Sequence, residues 1–343
     1  MVRRIAFTAT TGASAAILLL LIWPPAFDMQ RAAGVAHIVS FRAIFALAAL
    51  ALAALLLLIF LVLRRVRLLA AVLAVQLLLA AAVTAGILSS RGFGSDAAPA
   101  RGDAGIVVLS WNTLGGSPGV DRIANLAIEL RATIVSLPET TEAQAQRIAA
   151  RMAAAGLAME VHSLTFSRSA KFSSTSVLTS LTLGRYTVDV SRGSTTILPT
   201  VVLTPDDRIG PTIVAAHPVA PVSGYFGAWK KDLNWLRGIC TGANVILAGD
   251  LNSSLDHESG LENDAAATIG DCRDAALATG NAAVGTWPTR LPALLGTPID
   301  HVMATPNWKV AGFRVIDSLD KAGSDHRPIT ARLEPAGSAR FGW

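Results

Sequence analysis

Three apolar stretches, about Ile5–Phe27, Ala43–Leu63 and Leu68–Ser90, crowd into the first 90 residues, which carry almost no acid. Each comes near the roughly 20 residues that an α-helix needs to cross a hydrocarbon layer. A buried core helix is the other home for such a run, but one core rarely takes three in succession. The sequence therefore predicts a three-span transmembrane region over 1–90, and a chain that does not fold as a purely water-soluble body.

Arg3 and Arg4 precede the first stretch, and Arg64, Arg65 and Arg67 fill the turn between the second and third. Under the positive-inside rule both clusters face the cytoplasm. The 28–42 loop, with Asp28, Arg31, His37 and Arg42, is then outside, and so is everything after about Ser90. This places the chain in the cell membrane as a multi-pass protein with an extracytoplasmic C-terminal part. A cleaved signal peptide is the competing reading of residues 1–25, yet the two later spans would anchor the chain even after cleavage.

Residues 89–105, SSRGFGSDAAPARGDAG, are small and polar with no apolar period, and read as a tether. The expected organisation is a membrane region over 1–90, a linker over 91–104 and one large domain over 105–343. The net charge is +5 with a pI near 9.7. That balance suits anionic partners, but about a third of the basic residues lie before residue 102, so charge says little about the C-terminal domain. The two cysteines, Cys240 and Cys272, lie in the part placed outside, where a disulfide is permitted. Two buried thiols are the alternative.

Chemistry is concentrated in six polar islands, each at the end of an apolar run rich in β-branched residues. They are SWNTLGG (110–116), SLPET (136–140), AAHPVAP (215–221), LAGDLNSS (247–254), TPIDHV (297–302) and GSDHRP (323–328). Strands are expected at Ile106–Ser110, Thr133–Leu137, Ser176–Thr179, Tyr186–Val190, Thr196–Leu203, Thr212–Ala216, Val245–Ala248, Ile299–Ala304, Val310–Ile316 and Ile329–Leu333. Helical patterns lie at about Val120–Arg131, Glu142–Gly156 and Tyr225–Cys240. Carboxylates, amides and histidines gathered at one end of a sheet suit a hard divalent cation and a phosphate ester.

In order and wording the islands resemble the endonuclease/exonuclease/phosphatase superfamily over about residues 105–335. A lone GDLN or SDH is common by chance; six in this order are not. The resemblance implies a four-layer α/β/β/α sandwich and metal-assisted hydrolysis of a phosphate ester with Mg2+ or Mn2+. It implies Glu139 as the principal metal ligand, with Asn112 holding the metal or a phosphate oxygen. Asp250 would orient or deprotonate the attacking water, and Asn252 would stabilise charge on phosphorus. His217 would hydrogen-bond the phosphate, and His326 would be base or phosphate stabiliser. Taken alone, Glu139 is equally a first-turn acid of the next helix, Asn112 a turn residue and Asp250 an Asx cap. Leu114 stands where apurinic endonucleases carry a further acid, which argues against a second metal through that island.

Asp300 is placed to fix the tautomer of His326 and raise its basicity. Asp325, alternating to the other side, is available to ligate a cation or water. His301 points away from Asp300 and reads as packing or surface, and His37, His162 and His257 have no motif context. Gly249 is read as permitting a sharp turn. Thr286, Trp287 and Pro288 are candidates for a cleft wall, and Trp229 and Trp235 for core. There is neither a Walker loop nor a cysteine-nucleophile motif, which argues against NTPases and tyrosine phosphatases.

Three spans followed by such a domain also resemble the VanJ-type membrane proteins linked to teicoplanin resistance, which implies lipid-linked cell-wall phosphates as substrate. An extracellular nuclease is the alternative enzyme, but only Lys230, Lys231, Arg290, Lys321 and Arg327 lie near the motifs to meet a nucleic-acid backbone. A catalytically inactive binding or sensor module is the alternative of another class. The islands do not give an oligomeric state.

Overall fold

The computed structural model describes residues 1–94, 105–167, 172–242 and 244–337. Most of the expected linker, from 95 on, lies outside them. The chain divides into two compact units, Met1–Arg91 and Gly92–Trp343.

In the first unit, α1 (Val2–Ile22), the short α2 (Val35–Ser40), α3 (Arg42–Val62) and α4 (Arg67–Arg91) follow one another. Three of these helices are long and apolar enough to cross a membrane: Arg3–Ile22, Arg42–Val62 and Arg67–Arg91. The first apolar run ends as a helix at Ile22, five residues before Phe27, because Pro24 and Pro25 cannot continue the backbone hydrogen-bond ladder and open a tight 3-10 turn. Polar groups within these helices satisfy one another. Ser14 Oγ donates to Gln76 Oε1 at 2.6 Å, and Gln76 Nε2 donates to the Thr11 carbonyl at 3.1 Å, which fixes α1 beside α4.

The second unit contains two mixed six-stranded sheets. Its strands are β1 (Ile106–Ser110), β2 (Ile134–Pro138), β3 (Met159–Thr165), β4 (Ser174–Ser180), β5 (Tyr186–Val188), β6 (Val201–Pro205), β7 (Thr212–Ala216), β8 (Val245–Asp250), β9 (Arg273–Asp274), β10 (Asp300–Ala304), β11 (Trp308–Val315) and β12 (Ile329–Pro335). One sheet runs β11-β12-β1-β2-β4-β3 and the other β5-β6-β7-β8-β10-β9. The helices are α5 (Val120–Leu130), α6 (Glu142–Ala154), α7 (Phe226–Ile239), α8 (Leu255–Glu258) and α9 (Ala275–Ala278).

Each sheet is organised about a central parallel pair joined by a crossover helix. β1 and β2 are joined through α5, and β7 and β8 through α7. Between the sheets lies one apolar core, with Ile106, Val108, Ile134 and Ile329 from one and Leu203, Ile213, Ile246 and Val302 from the other. The alternate residues Leu109, Val135 and Leu137 face outward and bury Ile123 and Ala127 of α5 and Ile148 and Met152 of α6. The result is the four-layer α/β/β/α sandwich.

Where the strands differ from expectation, the cause is local. β3 was not anticipated because its polar residues break the period, and it holds the sheet edge by ladder bonds to β4 instead. β6 begins five residues late, because Ser194, Thr195 and Thr200 bond one another in place of a ladder.

Candidate active site

Strand direction alone brings the islands together. Asn112, Glu139, His217 and Asp250 stand at the carboxyl ends of the parallel strands β1, β2, β7 and β8. Asp300 and His326 lie at or before the amino ends of β10 and β12, which run antiparallel to β8 and β1. Register makes the match close: Asp300 is the partner of Asp250 across the β8–β10 pair.

Asp250, Asp300 and His326 are buried, and one ligand atom from each lies within 4.8 Å of the others. His326 Nδ1 is 2.9 Å from Asp300 Oδ2, and its Nε2 is 3.7 Å from Asp250 Oδ2. Asn112 Nδ2 bridges to Glu139 Oε1 at 3.1 Å and Asp250 Oδ2 at 3.0 Å, while its amide oxygen accepts the Leu114 N–H. In this arrangement the amide holds two carboxylates side by side. His217 Nε2 lies 3.8 Å from Glu139 Oε1, and its Nδ1 is 3.3 Å from the Thr175 hydroxyl.

Glu139 lies before α6. That helix starts at Glu142 behind a Thr141–Gln144 capping box, and Glu139 takes φ +58°. Asn252 also takes a left-handed φ, +48°. Such a φ is costly for a residue with a side chain and is found where surrounding contacts impose it. Asn252 N donates to Asp250 Oδ1 at 2.9 Å, so the Asx turn is present within the site itself. Its Nδ2 is spent on the Pro218 carbonyl (3.0 Å) and Asp250 Oδ2 (3.3 Å), so it braces Asp250. Gly249 does not turn the chain. It sits inside β8, where a Cβ would collide with the Ala216 carbonyl.

Burial dominates the electrostatics. It raises the Glu139 carboxyl, against the Asn112 hydrogen bond and the His326 charge. It raises Asp250 as well, with Asp300 adding to the effect and His326 opposing it. It would push the His326 imidazole down, but Asp300 and Asp250 overcome this and hold it above its ordinary range. His217 is pushed down to about 3 by burial and by His326, and is neutral at physiological pH.

Three buried atoms of these residues, Glu139 Oε2, Asp300 Oδ1 and His217 Nε2, have no hydrogen-bond partner among the described residues. Buried polar atoms are rarely left so. Carboxylate oxygens with unmet valence are the donor set a hard divalent cation takes, so the residues fit such an ion.

Of the other expected residues, some border this group and some lie away from it. Asp325 is half-buried and accepts from Trp287 Nε1 at 2.9 Å, and the Trp287 ring lies 6.5 Å from that of His326, so Trp287 does wall the site. Arg327, counted as a nucleic-acid contact, is fully buried. It bonds Asp320 at 2.6 Å and the carbonyls of Leu291 and Gly285. His301 is not a surface residue but a buried one, between Asp274 (2.7 Å) and the Ser253 carbonyl (2.9 Å).

The sequence marks Thr286 as cleft wall and Trp229 as core, but not the bonds by which they, Trp111 and Ser324 support the site. Thr286 Oγ1 accepts from the N–H groups of Ile299 and Asp300. Ser324 Oγ donates to the Asn112 carbonyl and accepts from His326 N. Trp111 Nε1 holds the His326 carbonyl, and Trp229 Nε1 that of Asn252. Trp111 and Ser324 lie inside the islands, and that place in the chain is the signal that could flag them.

The sequence profile of the Endonuclease/Exonuclease/phosphatase family matches residues 109–326. Comparison with curated proteins returns no match. Among solved structures the chain is similar to an endonuclease/exonuclease/phosphatase from Beutenbergia cavernae DSM 12333, with 19% identity over 68% of this chain and 72% of that one and a TM-score of 0.52. It is also similar to D. rerio TDP2 complexed with a single-strand DNA product, with 16% identity over 68% of this chain and 100% of that one and a TM-score of 0.50. At these identities the likeness speaks for the fold alone.

Proposed function

The chain belongs to the endonuclease/exonuclease/phosphatase family, and on that premise we propose that it is a membrane-anchored, divalent-metal-dependent phosphoesterase whose catalytic domain works outside the cytoplasm. The observation that carries this reading is the buried Asp300–His326–Asp250 group beside the partnerless oxygen of Glu139.

Glu139, steadied by Asn112, and Asp325 would hold the ion, Mg2+ or Mn2+. When bound, it supplies Lewis-acid polarisation of the phosphoryl group. Asp250, braced by Asn112 and Asn252, accepts the proton of the attacking water. His326, kept protonated by Asp300, donates to a phosphoryl oxygen and meets the charge that builds there. His217 is neutral. With Nδ1 accepting from Thr175, its Nε2–H is free to donate to the phosphate. Attack in line by water needs no covalent intermediate.

The basic clusters at Arg3–Arg4 and Arg64–Arg67 support an inside N-terminus and an outside catalytic part. A domain fixed to a bilayer meets substrates of the bilayer at high effective concentration, so a lipid-linked phosphate is the preferred substrate. Burial of Arg327 leaves Lys230, Lys231, Arg290 and Lys321 as the basic residues near the motifs, which weakens the nuclease reading.

Full-length protein in detergent, assayed with Mg2+ or Mn2+ on isoprenoid phosphates, phospholipids and DNA, tests the proposal. Phosphate release from the lipids that is lost in Glu139→Ala is the expected result. Full activity of folded Glu139→Ala at limiting metal overturns the site. A reporter fused within 95–104 should work only if it is competent outside, and one beside Arg65 only if competent inside. The reverse pattern overturns the orientation.

A further inference from the structure

We propose that the cleft between the amino-terminal ends of α1 and α4 binds the phosphate headgroup of an anionic phospholipid. The cleft has a volume of about 580 Å3, and Arg3, Arg4 and Arg65 line it together with Phe7, Leu68 and Leu69. This proposal does not depend on the reaction of the catalytic domain or on which side of the membrane that domain lies.

The placement follows from helix register. Gln76 of α4 bonds Thr11 and Ser14 of α1, and Arg3, Arg4 and Phe7 line one cleft with Arg65, Leu68 and Leu69, so the two helices lie side by side and run the same way. Counting back toward their starts, Arg3 and Arg4 come level with the turn that leads into α4 at Arg67. Two helices of 21 and 25 residues therefore present their partial positive ends at one spot, and neither first turn contains an acid. Arg3, Arg4 and Arg65 have no ion pair among the described residues. Within 1–90 the acid is Asp28, which lies beyond the far end of α1 and pairs with Arg31 at 3.7 Å.

Guanidinium groups converging from two elements without a counter-charge repel one another and lower their energy by gathering an anion. Their forked donors suit phosphate oxygens. The apolar part of the cleft selects among phosphates. Phe7, Leu68 and Leu69 continue the wall from the arginines into the spans, where an acyl chain would lie and a free ion would gain nothing. Basic pockets at the ends of membrane helices hold anionic lipids by this combination of charge and apolar surface.

The test uses the full-length chain in detergent micelles, titrated with phosphatidylglycerol or phosphatidylcholine and read by native mass spectrometry. Phosphatidylglycerol should be retained at least tenfold better. Arg4→Gln with Arg65→Gln should weaken it by roughly thirtyfold, about a factor of five for each arginine. Arg64→Gln with Arg67→Gln makes the same change in charge just outside the cleft and should leave retention within about twofold. Equal retention of the two lipids, or equal losses in the two double variants, overturns the site. Displacement by millimolar inorganic phosphate assigns the cleft to a free anion and overturns the lipid.

Because the arginines also orient the chain in the membrane, Phe7→Trp provides a readout that removes none of them. Its fluorescence should be quenched more by brominated phosphatidylglycerol than by brominated phosphatidylcholine. Equal quenching counts against the proposal.

Discussion

β10 carries two buried histidine–carboxylate groups back to back. On one side of the strand Asp300 meets His326, which also faces Asp250 at 3.7 Å; one residue on, His301 meets Asp274 at 2.7 Å and faces Glu258 at 3.6 Å. In both, burial alone would depress the imidazole, and the two neighbouring carboxylates raise it instead, for His301 to about 10. The charge pattern is therefore the same. What differs is completion. His301 Nε2 is closed off by the Ser253 carbonyl at 2.9 Å, whereas His326 Nε2 has only Asp250 Oδ2 before it, at 3.7 Å. An open ring nitrogen, more than perturbed acidity, separates a group poised to act from one that fastens the fold.

Exchanging the two histidines in thought gives the largest expected effect. His326→Ala should lower phosphoester hydrolysis per folded molecule by about 10²–10⁴-fold, as seen by steady-state rates corrected for the folded fraction in a thermal melt. A comparable loss of activity per folded molecule in His301→Ala would erase the distinction. Within the open group, Asp300→Ala and His326→Ala should fall far short of multiplying, because Asp300 acts through His326. A double variant showing the product of the two single losses would separate them.

The closed group should instead answer in stability. Asp274→Asn leaves a buried imidazolium short of one partner and should cost about 3–5 kcal/mol at neutral pH. Denaturant unfolding measures this, and a loss below about 1 kcal/mol would mean that Glu258 suffices.

The smallest effect is in pH. His301 binds its proton more tightly folded than unfolded. Its contribution is thus complete below about pH 6.5 and is lost as pH rises through its folded value of about 10. The gap in melting temperature between wild type and Asp274→Asn should narrow over that interval. A constant gap would show His301 to be neutral.

The open group was legible in the sequence and the closed one was not, for a physical reason. Site residues at strand ends interrupt apolar runs, so Glu139 after IVSLP and Asp250 after VILAG announce themselves. His301 lies inside a strand, and its partners Asp274 and Glu258 come from segments with no pattern linking them to β10. The outline of the sheets was readable because burial on both faces makes β1, β7 and β8 continuous apolar runs. The edge strand β3 is half-buried along most of its length and escaped for lack of that signal. Arg327 was misassigned because sequence shows a charge but not the carbonyls waiting for it. Spacing alone leaves the disulfide open, and the fold decides it. Cys240 at the end of α7 and Cys272 before β9 are joined with Cα atoms 5.7 Å apart.

The left-handed backbone at Glu139 bears on how copies of this protein would age once selection lets go. Glycine takes φ +58° without the penalty that a side chain incurs, about 1–3 kcal/mol at a non-glycine residue. One base change from a glutamate codon reaches it. Glu139→Gly should therefore leave a protein at least as hard to unfold as its parent and, on the proposed role of Glu139 in holding the ion, without a reaction to perform. Decay at this position would be silent to the cell's quality control, and relatives that have lost it would persist as well-folded, abundant relics.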